Sequence, residues 1–197
     1  MASFGFFADA ALTQPLTAWT RFHTTDGALD PVDKQIWFGS NDSAKQVQAA
    51  SAPGVDQITV SIGQLYPARA DSEAIGTGER RRLDPSNNRI YEATNNGTTA
   101  ATPPAFTTTV GATTVDGGVT WQCVGYEDTP DELKLADLQA NLAAAVAGDP
   151  LNLGLTIIGG VGNAVSFWVR ATDPDFVVQT TTQLSLAMNT LNETAYP

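Results

Sequence analysis

Along most of this chain apolar and polar residues alternate with a period of two, the spacing of strands that bury one face. Leu16, Ala18, Thr20 and Phe22 alternate with Thr17, Trp19, Arg21 and His23. Gln35-Ile36-Trp37-Phe38 reads as a dense strand, closed by the turn signal Gly39-Ser40-Asn41-Asp42. Ile58, Val60 and Ile62 face away from Gln57, Thr59 and Ser61, and Leu133 and Leu135 from Glu132 and Lys134. Leu153, Leu155 and Ile157 oppose Asn152, Gly154 and Thr156. Val165, Phe167, Val169 and Ala171 oppose Ser166, Trp168 and Arg170, and Leu184, Leu186 and Met188 oppose Gln183, Ser185 and Ala187. Half-buried strands separated by turn residues predict an all-β fold, an antiparallel β-sandwich. Ile58, Val60, Ile62, Phe167, Val169, Leu184 and Leu186 are its expected shared core.

One segment has helical spacing instead. Leu138, Leu142, Ala145 and Val146 predict a short helix over 136–146, stopped by Gly148-Asp149-Pro150 and crossing between strands. Residues 64–89 lack periodicity and contain Pro67, Gly76, Gly78 and Pro85, so they read as a linker. The basic run Arg80-Arg81-Arg82 within it reads as a solvated loop. Beyond it, residues 89–125 are dense in Thr, Gly, Asn and Pro. Val119, Trp121 and Cys123 share one face of a strand, and Asp116-Gly117-Gly118 is the tight turn that feeds it. The Thr-rich run 106–114 suits its extended partner. The parse is a discontinuous sandwich, residues 1–65 and 127–197, interrupted by a small β-hairpin module with linkers over 66–126.

Residues 89–125 also resemble a small β-module inserted in many virion proteins of tailed bacteriophages and likened to carbohydrate-binding modules. The resemblance rests on Tyr91, Ala93, Thr94, Gly97, Thr98, Thr99, Pro104, Gly111, Asp116, Gly117, Val119 and Trp121. Phe106 stands where Trp is common, and Thr107 where Pro is common. The flanking VDKQIWFGS and LNLGLTIIGGVGNAVSFWVRATD resemble Ig-like domains of phage structural proteins. Together these resemblances imply an Ig-like sandwich with a carbohydrate-binding-module-like insert, in a virion structural protein made in the host cytoplasm.

Composition narrows the chemistry. Of 197 residues, 42% are hydrophobic, enough for a buried core, and only 16% are charged. A net charge of −11 disfavours nucleic acid or an anionic membrane as a partner. Cys123 is the sole cysteine, so no disulfide can form within the chain and no Cys-based metal centre can be built. Its place on an apolar strand face makes it core rather than nucleophile. His23 is the sole histidine, and no G-x-S-x-G elbow, phosphate-binding Gly loop or EF-hand spacing is present. Asp128, Asp131 and Glu132 flank Pro130, and Asp173 and Asp175 flank Pro174, as turn residues do. No carboxylate pair can be placed for glycoside hydrolysis. The expectation is a non-enzymatic protein with no catalytic residue, cofactor or metal. The N-terminal stretch lacks the pattern of a secretion signal, and no apolar run reaches the ~20 residues of a membrane span.

Two surfaces are candidates for binding. Tyr91, Phe106 and Trp121 could stack on sugar rings of a host surface glycan, or they could be the insert's miniature core, with Trp121 beside Val119 and Cys123. Trp19 with Arg21, Trp168 with Arg170, and Trp37 are candidates for a subunit interface, since Trp and Arg concentrate at interface hot spots. The expected function is symmetric binding to a tail, baseplate or neck scaffold, with the insert displayed outward. Capsid decoration and host-glycan adhesion are the alternatives. The expected partners are other virion proteins and copies of the chain itself.

Overall fold

The computed structural model describes residues 3–19, 33–171 and 182–197. Thr20, Arg21, Phe22, His23, Asp173 and Asp175, and with them the second half of the first expected strand, lie outside the described residues. Residues 16–19 of that expected strand carry no ladder; the nearest pairing is an isolated bridge between Phe7 and Pro15. The described fold is all-β, with several antiparallel sheets.

In chain order the strands are β1 (Gly5–Phe7), β2 (Asp33–Gly39), β3 (Lys45–Ala49), β4 (Ile58–Gln64), β5 (Ala74–Ile75), β6 (Arg80–Arg82), β7 (Arg89–Ala93) and β8 (Gly97–Thr98). They continue as β9 (Thr113–Asp116), β10 (Val119–Tyr126), β11 (Leu133–Ala136), β12 (Leu151–Gly154), β13 (Thr156–Ile158), β14 (Val165–Ala171), β15 (Leu184–Met188) and β16 (Leu191–Ala195). The chain divides into two compact units. The described part of one is 3–19, 33–63, 130–171 and 185–197; that of the other is 64–129 with 182–184.

In the first unit a four-stranded sheet runs β1-β2-β14-β11. Its registers place Phe6 opposite Phe38, Ile36 opposite Phe167, and Val169 opposite Leu135. Those side chains share one face, as the alternation of each strand requires, and Ile36, Phe38, Phe167, Val169 and Leu135 are buried. The Phe6 ring lies 5.5 Å from Phe38 and 6.0 Å from Phe167. Burying each such side chain contributes about 1.5–3 kcal/mol.

Two three-stranded sheets, β12-β4-β15 and β13-β3-β16, share the same three chain courses. Strands β3 and β4 are the central course, interrupted by an excursion over residues 50–57. On one side Gly154 pairs with Ile58 and Thr156 with Gln48; on the other Leu191 pairs with Ala49 and Asn189 N–H reaches Thr59 O at 3.0 Å. The expected continuous strand 152–157 is therefore broken. Gly154, at φ +130°, turns the chain from β4 to β3, and Leu155 at this corner is 40% exposed. Ile58, Val60 and Ile62 are buried as expected, whereas Leu184 and Leu186 are only half-buried.

The helix expected over 136–146 is a short 3₁₀ helix, Gln139–Ala143. Ala136 belongs to β11, and Leu138 is extended, at φ −125° and ψ 145°. What remains before Gly148 is too short to repay helix nucleation. Asp137 closes the turn instead, accepting from Leu138 N at 2.8 Å and Asn141 Nδ2 at 2.7 Å. Leu142 is buried, while Leu138 and Val146 stay exposed. Among the described residues no helix is long and apolar enough to cross a membrane.

The second unit holds a four-stranded sheet, β6-β7-β10-β9, and the pair β5-β8. The segment read as a linker supplies β5 and β6, so its lack of periodicity reflects strands too short to show one. The hairpin partner of β10 is β9, beginning at Thr113, rather than the whole run 106–114. Gln183 joins this unit from far along the chain. It accepts from Asp128 N at 2.9 Å, donates to Tyr126 O at 2.8 Å, and takes the Leu65 N–H at 2.7 Å on its own carbonyl.

Candidate functional site

The aromatic motif of residues 89–125 lies in the second unit. Strand alternation sends Tyr91 and Ala93 of β7, and Val119, Trp121 and Cys123 of β10, to one face of their sheet. Ile75, Leu83 and Phe106 close over that face, and together they form one buried cluster. Tyr91 and Trp121 are fully buried and Phe106 is 9% exposed. The Tyr91 and Phe106 rings lie 5.5 Å apart. Of the two roles open to Tyr91, Phe106 and Trp121, stacking surface and miniature core, the three rings take the core. A module this small needs all three rings as its core, and a sugar would have no ring face to meet.

Even the polar ends of these rings are used internally. Tyr91 Oη donates to Thr107 O at 2.8 Å and accepts from Asn87 Nδ2 at 2.8 Å. Burial raises the Tyr91 phenol to about 12. Trp121 Nε1 donates to Asp116 Oδ2 at 3.3 Å.

Asp116, the acidic residue of the motif, is itself buried. It receives Arg69 Nε on Oδ2 at 2.8 Å and Arg69 Nη2 on Oδ1 at 3.0 Å, a bidentate pair. Ala100 N–H adds a third partner at 2.9 Å. Burial alone would push this carboxyl up, but Arg69 and the other donors hold it below the ordinary carboxylate range. The chain on either side is fitted to this carboxylate. Gly117 has φ +63°, and a Cβ there would lie 2.5 Å from Thr98 O; one on Gly97 would lie 2.3 Å from Gly118 O. Only bare backbone can pass so close, which explains why both positions are glycine.

The threonines and asparagines complete a clasp around that contact. Asn95 accepts from Thr120 N at 2.6 Å and donates to Gly118 O at 2.8 Å. Thr99 Oγ1 accepts from Glu73 N and donates to Ala70 O, each at 2.8 Å, and Thr99 N–H reaches Glu73 O at 2.9 Å. The motif is a set of internal connections. Its key partner, Arg69, was invisible to sequence reasoning because it lies far from Asp116 along the chain, outside any local pattern.

The basic run is likewise not a solvated loop. It is strand β6, and each arginine is paired: Arg80 with Glu92 at 2.9 Å, Arg81 with Glu79 at 2.7 Å and Glu73 at 3.2 Å, and Arg82 with Glu127 at 3.2 Å. Arg89 lies 3.8 Å over the Tyr126 ring. These arginines act as cross-links in a unit with little core. Glu127 is buried, and that burial raises its carboxyl despite the Arg82 partner.

The tryptophans of the first unit have a different setting. Trp19, Trp37 and Trp168 are half-buried. On β1-β2-β14-β11, Trp37 pairs with Phe7 and Ser166, while Trp168 pairs with Gln35 and Ala136. The two residues therefore hold diagonal positions on the face opposite Ile36 and Phe167. Arg170, two residues beyond Trp168, is held by Asp33, with Nε–Oδ1 at 2.7 Å and Nη2–Oδ2 at 2.9 Å. That pairing raises the guanidinium and lowers the Asp33 carboxyl. Trp37, Trp168 and Arg170 are brought together; Arg21, the partner expected for Trp19, lies outside the described residues.

Cys123 is fully buried, which raises its thiol and keeps it protonated among apolar neighbours. Among the described residues no three of His, Cys, Asp and Glu stand together as metal ligands. No family model, curated protein or solved structure matches this chain.

Proposed function

We propose that this chain is a non-enzymatic structural subunit of a tailed-phage virion, an Ig-like sandwich carrying a carbohydrate-module-like insert. In this reading it binds symmetrically to a tail, baseplate or neck scaffold and to copies of itself, and displays the insert. The supporting observation is the division of its aromatic residues. The motif rings Tyr91, Phe106 and Trp121 are spent on internal packing, whereas Trp37 and Trp168 lie half-buried at diagonal positions on a sheet face. Half-buried tryptophans beside a fixed Arg–Asp pair have the composition of an interface hot spot. The acidic net charge suits a protein partner rather than nucleic acid.

Capsid decoration uses the same surface on a different scaffold, so position in the particle separates the two. Gradient-purified particles probed with gold-labelled antibody to the chain should carry label on the tail, baseplate or neck. Label over the capsid would select decoration. Absence of the chain from purified particles, with the chain present in infected cells, would overturn the structural role. Host-glycan adhesion through Tyr91, Phe106 and Trp121 would need those rings to leave the core.

A further inference from the structure

We infer that Asn96-Gly97 is a latent self-modification site, an asparagine set to cyclise onto its own backbone and held back by the pairing of β5 with β8. In this chemistry the Gly97 nitrogen attacks Asn96 Cγ, the bond from Cγ to the side-chain nitrogen breaks, and ammonia departs with the Gly97 proton. Water then opens the five-membered imide at either carbonyl, giving aspartate or isoaspartate. A glycine after the asparagine leaves the attacking nitrogen unhindered, and Asn96 is exposed, so the leaving ammonia and the entering water have access.

Two features of the fold act on this step in opposite senses. Asn96 Oδ1 accepts from Thr77 N at 2.7 Å and Thr77 Oγ1 at 2.9 Å. Two donors on the carbonyl oxygen polarise Cγ and favour the negative charge that builds there during attack. Gly97, however, pairs with Ile75 in the β5–β8 ladder, which keeps its nitrogen from the side chain. The ladder is anchored next door by Thr99, through its bonds to Glu73 and Ala70. Cyclisation therefore waits on local opening of this two-stranded pair.

The isoaspartate product would not fit back, whereas aspartate keeps the main chain as it was. Isoaspartate lengthens the main chain next to Gly97, where even a Cβ would lie 2.3 Å from Gly118 O. Each conversion to isoaspartate would thus loosen the clasp for good. Asn95 is the internal control. Its successor carries a side chain, and its own amide is held by Thr120 N and Gly118 O.

The test follows isoaspartate by peptide mapping and methyltransferase labelling of the full chain at mildly alkaline pH. Conversion is expected at Asn96 and not at Asn95, about tenfold or more slower in the folded chain than in denaturing urea. Thr99→Val should fall between the two. Graded urea below the unfolding midpoint gives the same comparison on the wild type should that variant not fold. Equal rates in folded and unfolded chain, no conversion at Asn96 in urea, or a rate indifferent to loosening of β5–β8 would each overturn the inference.

Discussion

Arg69 and Asp116 face each other through two parallel hydrogen bonds, 2.8 and 3.0 Å, with side chains only 5% and 0% exposed. The pair ties the segment before β5 to the β9–β10 turn, and it decides how the second unit responds to mutation and to acid. Removing Asp116 leaves the buried Arg69 with only the exposed Asp71 carboxylate and Ala100 O as partners, so Asp116→Ala should cost toward the lower end of about 3–5 kcal/mol in urea unfolding. Asp116→Leu paired with Arg69→Met should recover only part of that loss, because Trp121 Nε1 and Ala100 N–H would still lack their acceptor.

The same pair sets an acid limit. The Asp116 carboxyl is depressed in the folded state, so its stabilisation is fully present above the unfolded value of about 3.9. It should be lost as pH falls through the lower folded value. An acid titration followed by fluorescence of a chain that keeps Trp121 as its one tryptophan, Trp19, Trp37 and Trp168 being replaced by Phe, should show this loss, and Asp116→Asn should flatten it.

Tyr91 sets the alkaline limit. Its folded value of about 12 lies above the ordinary phenol value, so its contribution is intact below about pH 10 and lost as pH rises toward 12. Tyr91→Phe should remove that alkaline dependence. It should also cost about 1–3 kcal/mol, because the acceptor Thr107 O loses its donor.

Glycines separate clash from conformational strain. Gly97→Ala must displace the Gly118 backbone and should cost about 1–3 kcal/mol by overpacking. Gly111→Ala has φ +86° but nothing within 4 Å, so only strain of about 1–2 kcal/mol is expected. Thermal unfolding of the two variants side by side checks the order.

Alternation exposed the strands that bury one full face, such as β2, β4, β10 and β14, because a period of two over several residues is a strong signal. It failed at β1, β5, β6 and β8, whose two or three residues carry no period, at β3 and β16, where few apolar residues mark a face, at β7, where the adjacent Ile90 and Tyr91 are both buried, and at Leu155, where Gly154 turns the chain into another sheet. The helical spacing of Leu138, Leu142 and Val146 misled because Ala136 was already committed to β11. At the motif, the sequence offered Trp121 as either platform or core. The choice rested on Phe106 and Ile75 closing over it and on Arg69 reaching Asp116, relationships set by tertiary packing alone.

The motif reading predicts a stability phenotype. Trp121→Ala should cost about 3–5 kcal/mol and loosen the second unit, with no glycan binding by multimerised wild type to lose. A stable Trp121→Ala protein that loses glycan binding shown by the wild type would reverse that reading.

The proposed function is tested most directly by counting the chain in gradient-purified particles assembled with wild-type protein or with Trp168→Ala, folding being matched by circular dichroism. The wild type should appear at a fixed copy number set by particle symmetry. If Trp168 anchors the interface, the variant should lose about 2 kcal/mol or more of binding and fall well below that number. Particles that carry no wild-type chain would contradict a virion structural role, and full incorporation of the variant would contradict assembly through this face.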